Sequence, residues 1–241
     1  MRLGGLGGLV TATSPVASGW LVTASGLLAL AVSASSFALL VAGSRSFLVN
    51  LNVLGTAIHE AGHAAVCVLT GGGVFVIEID TAESGVTRSD IRGWFSAVAT
   101  TAAGYAALPL AGLAAASLVG RGHSPAVLAS TVIVMLMILL LAWDPITAVA
   151  VLAVGVVAFA TLLWAPGRLQ TWVGTAEAWL LLTSEAAGLA HLVVARQSAG
   201  ELKDDAAGLA ALTFIPGFVW IASWAALIGW AVWHGAALLW P

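Results

Sequence analysis

The stretch LVNLNVLGTAIHEAGHAAVCVL, residues 48–69, combines an apolar run of membrane-spanning length with three ionisable side chains. A transmembrane helix needs roughly 20 predominantly apolar residues to cross a hydrocarbon core about 30 Å thick. His59, Glu60 and His63 interrupt this run within about one helical turn. Ionisable groups inside a membrane are costly unless they bind something, so the stretch predicts a spanning helix that carries a functional site.

The rest of the chain has the composition of a membrane protein. Of its 241 residues, 61% are hydrophobic and 8% are charged, whereas a soluble domain carries about 25% charged residues. The net charge of −3 argues against nucleic-acid binding, and the single cysteine, Cys67, excludes an intramolecular disulfide. We therefore predict a multi-pass integral protein of the cell membrane in contact with the lipid bilayer. The excess of Arg over Lys favours a bacterial source.

Apolar windows between polar breaks predict an all-α polytopic membrane protein with about six to seven transmembrane helices, forming one domain over residues 1–241. The seven windows are Trp20–Gly43, Leu48–Leu69, Trp94–Val119, Pro125–Ala142, Ile146–Trp164, Trp172–Ala195 and Ala206–Trp240. We interpret the first window as a retained span and not as a cleaved signal peptide, because its apolar run is long. Asp144-Pro145 predicts a tight hairpin, and the last window must tilt, kink near Pro216 or extend past the bilayer.

The one substantial polar segment, residues 71–93, follows the second window. Val74–Asp80 is rich in residues that favour strands, and Ser84–Arg88 can return beside it after a turn. We predict a small membrane-associated β-hairpin here, with an ordinary connecting loop as the equally favoured alternative.

His59 and His63 lie four residues apart, on one face of the predicted helix, so both imidazoles can bind one metal ion with Glu60 beside it. This HExxH pattern predicts a zinc site. Two neutral imidazoles and a third protein ligand leave an open position for a water molecule, whose pKa falls toward about 7. Glu60 is predicted to take the proton of that water as general base and to deliver it to the leaving amine.

The third ligand must come from another part of the chain, and the alternation of spans restricts it to one side of the membrane. Asp144 and the pair Asp204 and Asp205 satisfy this condition, as do Asp80 and Asp90 of the polar segment. Asp204 or Asp205 also suits a helix N-cap, and Asp144 suits a turn. The spacing alone leaves Asp144 and the Asp204/Asp205 pair equally favoured.

Other polar side chains of the apolar windows have two interpretations. Glu185 and His191 either face the cavity of the site or form hydrogen bonds between helices. Cys67 lies one turn after His63, but a lone cysteine in a membrane helix is usually a packing residue.

Together these motifs resemble the site-2 protease family of intramembrane zinc metallopeptidases, and in particular its compact bacterial branch without a PDZ domain. That family usually carries its third zinc ligand in a Leu-Asp-Gly motif. This sequence has no Leu-Asp-Gly, and Asp205-Ala206 resembles the counterpart, which favours Asp205. The resemblance rests on the segments TAIHEAGHA (56–64), GGG (71–73), GVT (85–87), AAGY (102–105) and DAAGLAALTFIP (205–216).

The resemblance implies an intramembrane zinc endopeptidase that cleaves transmembrane protein substrates, often within regulated intramembrane proteolysis. By the same analogy, the edge of strand Val74–Asp80 is expected to hold an unwound substrate segment by β-augmentation. Two alternatives stay open: a catalytically silent relative that binds a membrane partner, and a membrane metal transporter or sensor. The concentration of strong ligands in one turn favours chemistry over transport.

Overall fold

The structure is a computed structural model that describes residues 53–81, 84–198 and 204–240. The first apolar window, Trp20–Gly43, lies outside the described residues. The described part contains seven helices and one antiparallel pair of strands. In chain order these are α1 (Val53–Leu69), β1 (Gly73–Thr81), β2 (Ser84–Asp90), α2 (Gly93–Gly120), α3 (Ser124–Leu141), α4 (Pro145–Trp164), α5 (Gly167–Ser198), α6 (Asp205–Thr213) and α7 (Gly217–Leu239).

Five of these helices, α2 to α5 and α7, are long and apolar enough to cross a membrane, and α1 is a shorter apolar helix. They coincide with the predicted windows from the second onward, and the hairpin follows α1. The predicted multi-pass helical membrane fold with a small β-hairpin is therefore confirmed.

The last apolar window is divided into two helices. Phe214 ends α6 in the left-handed conformation, with a φ of 60°, and Pro216 precedes α7. Since proline has no N–H and residues after a left-handed turn leave the helix axis, α6 cannot continue directly into α7. Of the three predicted solutions for this long window, the structure adopts a break next to Pro216.

Close contact between α1 and α2 brings the His pair against its neighbouring helix. A Cβ atom built on Gly62 would lie 2.4 Å from the Cβ of Ala107 and 3.1 Å from the carbonyl oxygen of Ala103. Only glycine permits this approach, as is common where helices pack through small residues in membranes. One buried apolar cluster then joins α1 to β1, α3, α4 and α5, and another joins α5 to α6 and α7.

The two strands of the hairpin have different surroundings. The outer edge of β1 faces the end of α3 and the first turn of α4. Ile77 pairs with Ala142, and the N–H of Ile79 donates to Thr147 Oγ1 of α4 over 2.7 Å. Ile77 and Ile79 are buried. The expectation that β1 offers a free edge is therefore wrong at these two residues. Strand β2 lies on the other side of β1 and lines the cavity described below.

Candidate metal centre

Three potential ligand atoms converge between α1 and the start of α6. The Nε2 atoms of His59 and His63 lie 3.2 Å apart, as the four-residue spacing on one helical face predicts. Asp205 Oδ2 lies 3.5 Å from His59 Nε2 and 3.3 Å from His63 Nε2. Within the described ranges, His59, His63 and Asp205 form a group that can hold a metal ion.

The other nitrogen of each imidazole is held by a hydrogen bond. His63 Nδ1 donates to the backbone carbonyl of Thr100 in α2 over 2.7 Å, and His59 Nδ1 donates to Glu185 Oε1 in α5 over 3.2 Å. A proton on Nδ1 leaves the lone pair of Nε2 free. Both Nε2 atoms therefore face Asp205 in the tautomer that metal binding requires.

The spacing of these three atoms fits a tetrahedral zinc ion. Ligand atoms held about 2.0–2.1 Å from such an ion lie roughly 3.3–3.4 Å from one another, and the observed separations are 3.2, 3.3 and 3.5 Å. Gly104 keeps the space beside them open, because a Cβ atom there would lie 2.4 Å from His63 Nε2 and 2.5 Å from His59 Nε2. The donor set and the space around it suit a divalent metal.

Glu60 lies next to this group, buried and held by the hairpin. Thr87 of β2 donates from its hydroxyl to Glu60 Oε2 over 2.6 Å. Gly85 permits the contact, since a Cβ atom there would lie 2.7 Å from both Cγ and Oε1 of Glu60. Strand β2 thus fixes the carboxylate beside the His pair.

A cavity of about 380 Å³ opens onto the group. Its walls come from α1, β2, α2, α5 and the beginning of α6, so elements far apart in the chain enclose it. Its polar side chains include Glu60, Thr87 and Glu185 as well as the three potential ligands. The cavity therefore surrounds the space next to Glu60 with polar side chains.

The other aspartates that the spacing left open are helix caps or lie outside the group. Asp144 caps α4 by accepting from the N–H of Thr147 over 2.8 Å. Partial burial raises the pKa of Asp144, but hydrogen bonds from Thr147 outweigh this effect and hold the pKa below its usual value. Asp204 caps α6 through the N–H of Ala207 and forms two hydrogen bonds with Arg196. Asp90 is exposed, and the side chain of Asp80 lies outside the described part.

Several contacts of the site were not predicted from the sequence. The hydrogen bond from Thr87 to Glu60 and the space beside Gly104 depend on how the elements pack, although both residues belong to segments that carry the family resemblance. Glu185 had two open interpretations. It lines the cavity and hydrogen-bonds to His59, so both interpretations hold for this residue.

The fold and the site define a class: a multi-pass helical membrane protein with a candidate metal centre enclosed by its helices and a hairpin. Residues 23–235 match the family model described as Peptidase M50B-like. The chain therefore belongs to this peptidase family, the site-2 protease family that its motifs resemble. Comparisons with curated proteins and with solved structures found no match.

Proposed function

We propose that this protein is an intramembrane zinc endopeptidase that hydrolyses peptide bonds of transmembrane protein substrates. One observation carries the proposal: three potential ligand atoms at separations that fit zinc lie beside the buried Glu60, in a cavity that strand β2 borders. Membership of a membrane peptidase family supports it. The biological role that we propose for this activity is the cleavage of a membrane-anchored regulator, as in regulated intramembrane proteolysis.

His59, His63 and Asp205 would hold the zinc ion. When bound, zinc supplies Lewis-acid activation of a water molecule and of the scissile carbonyl. The hydrogen bonds from His59 to Glu185 and from His63 to Thr100 fix the direction of both Nε2 lone pairs before the ion arrives. Because the two imidazoles are already oriented, less side-chain conformational freedom is lost when zinc binds.

Glu60 acts as the general base and then as the general acid. Its carboxylate accepts the proton of the attacking water and passes it to the nitrogen of the leaving amine. Thr87 occupies Oε2, which directs the transferred proton to Oε1. Burial of Glu60 limits competing solvent, and the bond from Thr87 keeps the carboxylate from rotating away.

A substrate helix must unwind before its peptide bond can reach the centre, and β2 provides the surface for the extended segment. The residues of β2 that line the cavity include Gly85, Val86, Thr87 and Ser89. The outer edge of β1 is occupied at Ile77 and Ile79, whereas β2 borders the cavity. The substrate segment would therefore pair with β2 by β-augmentation, close to Glu60.

The position of the substrate can be tested by disulfide cross-linking. Val86 of β2 and Phe75 of β1 are both exposed apolar residues of the hairpin, but of the two only Val86 lines the cavity. In a Cys67→Ala, Glu60→Gln background, a substrate with one cysteine near its scissile bond is expected to cross-link to Val86→Cys. Phe75→Cys is the matched control and is expected to stay uncross-linked. Equal cross-linking at both positions would contradict pairing with β2.

The arrangement favours catalysis over metal transport. Transport requires ligands distributed along a path through the membrane, whereas the metal-ligating group found in the described ranges is a single cluster. That cluster adjoins a buried glutamate held in one orientation by Thr87. A fixed proton acceptor next to a metal site is what hydrolysis by an activated water molecule requires, and transport does not require it.

The proposal is tested with the purified protein in detergent. We expect about one zinc ion per chain and cleavage of a model transmembrane substrate. Dialysis against a chelator is expected to abolish cleavage, and returning zinc to restore it. Cleavage that survives complete removal of the metal, or a preparation that binds no zinc, would contradict the proposed function.

A further inference from the structure

Glu185 is a buried carboxylate on α5 that contacts the candidate ligand His59 at the ring nitrogen that does not face the metal site. Its side chain is 5% exposed, and Oε1 lies 3.2 Å from His59 Nδ1, on the opposite side of the imidazole from Nε2. A charged group inside a membrane bundle is costly and needs a specific partner. For Glu185 that partner is the imidazole whose other nitrogen faces Asp205.

The two imidazoles have different partners. His63 donates to a neutral backbone carbonyl, that of Thr100, whereas His59 donates to a carboxylate. A carboxylate partner increases the electron density of the imidazole and makes it a stronger metal ligand. Because only His59 has a carboxylate partner, it is the stronger metal ligand of the two histidines.

We propose that Glu185 is a positioning residue that sets the metal affinity of the centre through His59. This inference rests on the proposed function, since it takes His59 as a zinc ligand. Glu185 holds the Nδ1 proton, aims the Nε2 lone pair at the ion and places a buried negative charge behind the ligand. It acts through His59 and has no part in the proton transfer assigned to Glu60.

Glu177 provides a matched control on the same helix. Like Glu185 it is buried, and it accepts a hydrogen bond from Thr131 of α3. It is not among the residues that line the cavity of the described structure. If buried glutamates of α5 only join helices, replacing either one by glutamine has the same consequence; if Glu185 acts on the metal, the two replacements differ.

The experiment compares the wild type with Glu185→Gln, Glu177→Gln and Glu185→Asp. Zinc affinity is measured by competition with a chelating dye, and the cobalt-substituted proteins are compared by their visible absorption spectra. We expect Glu185→Gln to raise the Kd for zinc by about 10–100-fold and to change the cobalt spectrum. Glu177→Gln is expected to match the wild type in both. Glu185→Asp keeps the negative charge, but its side chain is one methylene shorter and no longer reaches His59 Nδ1, so its Kd for zinc is expected to lie between those of the wild type and Glu185→Gln.

Each outcome is decisive. An unchanged Kd in Glu185→Gln, or an equal rise in Glu177→Gln, overturns the inference and leaves the proposed function standing. If Glu185→Gln does not fold, Glu185→Asp replaces it as the test, and a wild-type Kd together with a wild-type cobalt spectrum in that variant overturns the inference. A wild-type protein that binds no zinc overturns the proposed function and this inference together.

Discussion

Replacing Glu60 by glutamine is expected to lower the rate of substrate cleavage by about 10²–10⁴-fold while leaving zinc binding intact. Glutamine has nearly the same shape and can still accept the hydrogen bond from Thr87, which lies 2.6 Å from Oε2 in the structure. Its amide cannot take a proton from water near neutral pH. The change therefore removes the proton acceptor without disturbing the candidate ligands His59, His63 and Asp205.

Two measurements on the same preparation separate this effect from unfolding. Zinc per chain is determined by elemental analysis, and cleavage of a model transmembrane substrate is followed over time. Zinc content equal to that of the wild type serves as the internal control. Full activity in Glu60→Gln with zinc bound would contradict the general-base role.

Most helix boundaries were predictable because the chemistry that ends a membrane helix is local. At the end of α3, the chain contains Asp144-Pro145, where proline cannot continue the preceding helix and aspartate can cap the next. The structure ends α3 at Leu141 and starts α4 at Pro145, with Asp144 capping it. The break between α6 and α7 was one of three expectations. The left-handed conformation of Phe214, which ends α6, was not predicted from the sequence.

The candidate site was predictable in part for a similar reason. His59, Glu60 and His63 share one helix, so their mutual geometry follows from 3.6 residues per turn. The carboxylate that joins them comes from α6, and spacing alone could not choose it because Asp144, Asp204 and Asp205 all begin a helix. Family resemblance favoured Asp205, and the structure brings that residue to the His pair.

The prediction of a free edge along β1 is wrong at Ile77 and Ile79, and the sequence could not show this because both strands of the hairpin have suitable sequences. Nothing in the residues of β1 shows that Thr147, far along the chain, donates to and accepts from the backbone of Ile79. Which strand borders the cavity depends on where the connection between α3 and α4 lies. Likewise, the pairing of Glu185 with His59 depends on how α5 packs beside α1.

Replacing Asp205 by asparagine is expected to weaken zinc binding by more than the roughly 10–100-fold that loss of an outer hydrogen-bond partner costs, and to abolish cleavage with it. A neutral amide is a poorer ligand than a carboxylate, and Asp205 Oδ2 is the one carboxylate oxygen among the three atoms grouped in the described structure. Zinc affinity by dye competition and cleavage of the model substrate are the two measurements.

Asp204→Asn and Asp144→Asn are matched controls, because all three aspartates stand at the start of a helix and lose the same charge. Asparagine caps a helix about as well as aspartate, so α4 and α6 should both begin as before. Asp144→Asn is expected to leave zinc affinity unchanged. Asp204→Asn weakens the two hydrogen bonds with Arg196 that hold the start of α6. We therefore expect it to reduce zinc affinity, but by less than Asp205→Asn does. If Asp204→Asn or Asp144→Asn loses zinc while Asp205→Asn retains it, the carboxylate assigned to the centre is the wrong one.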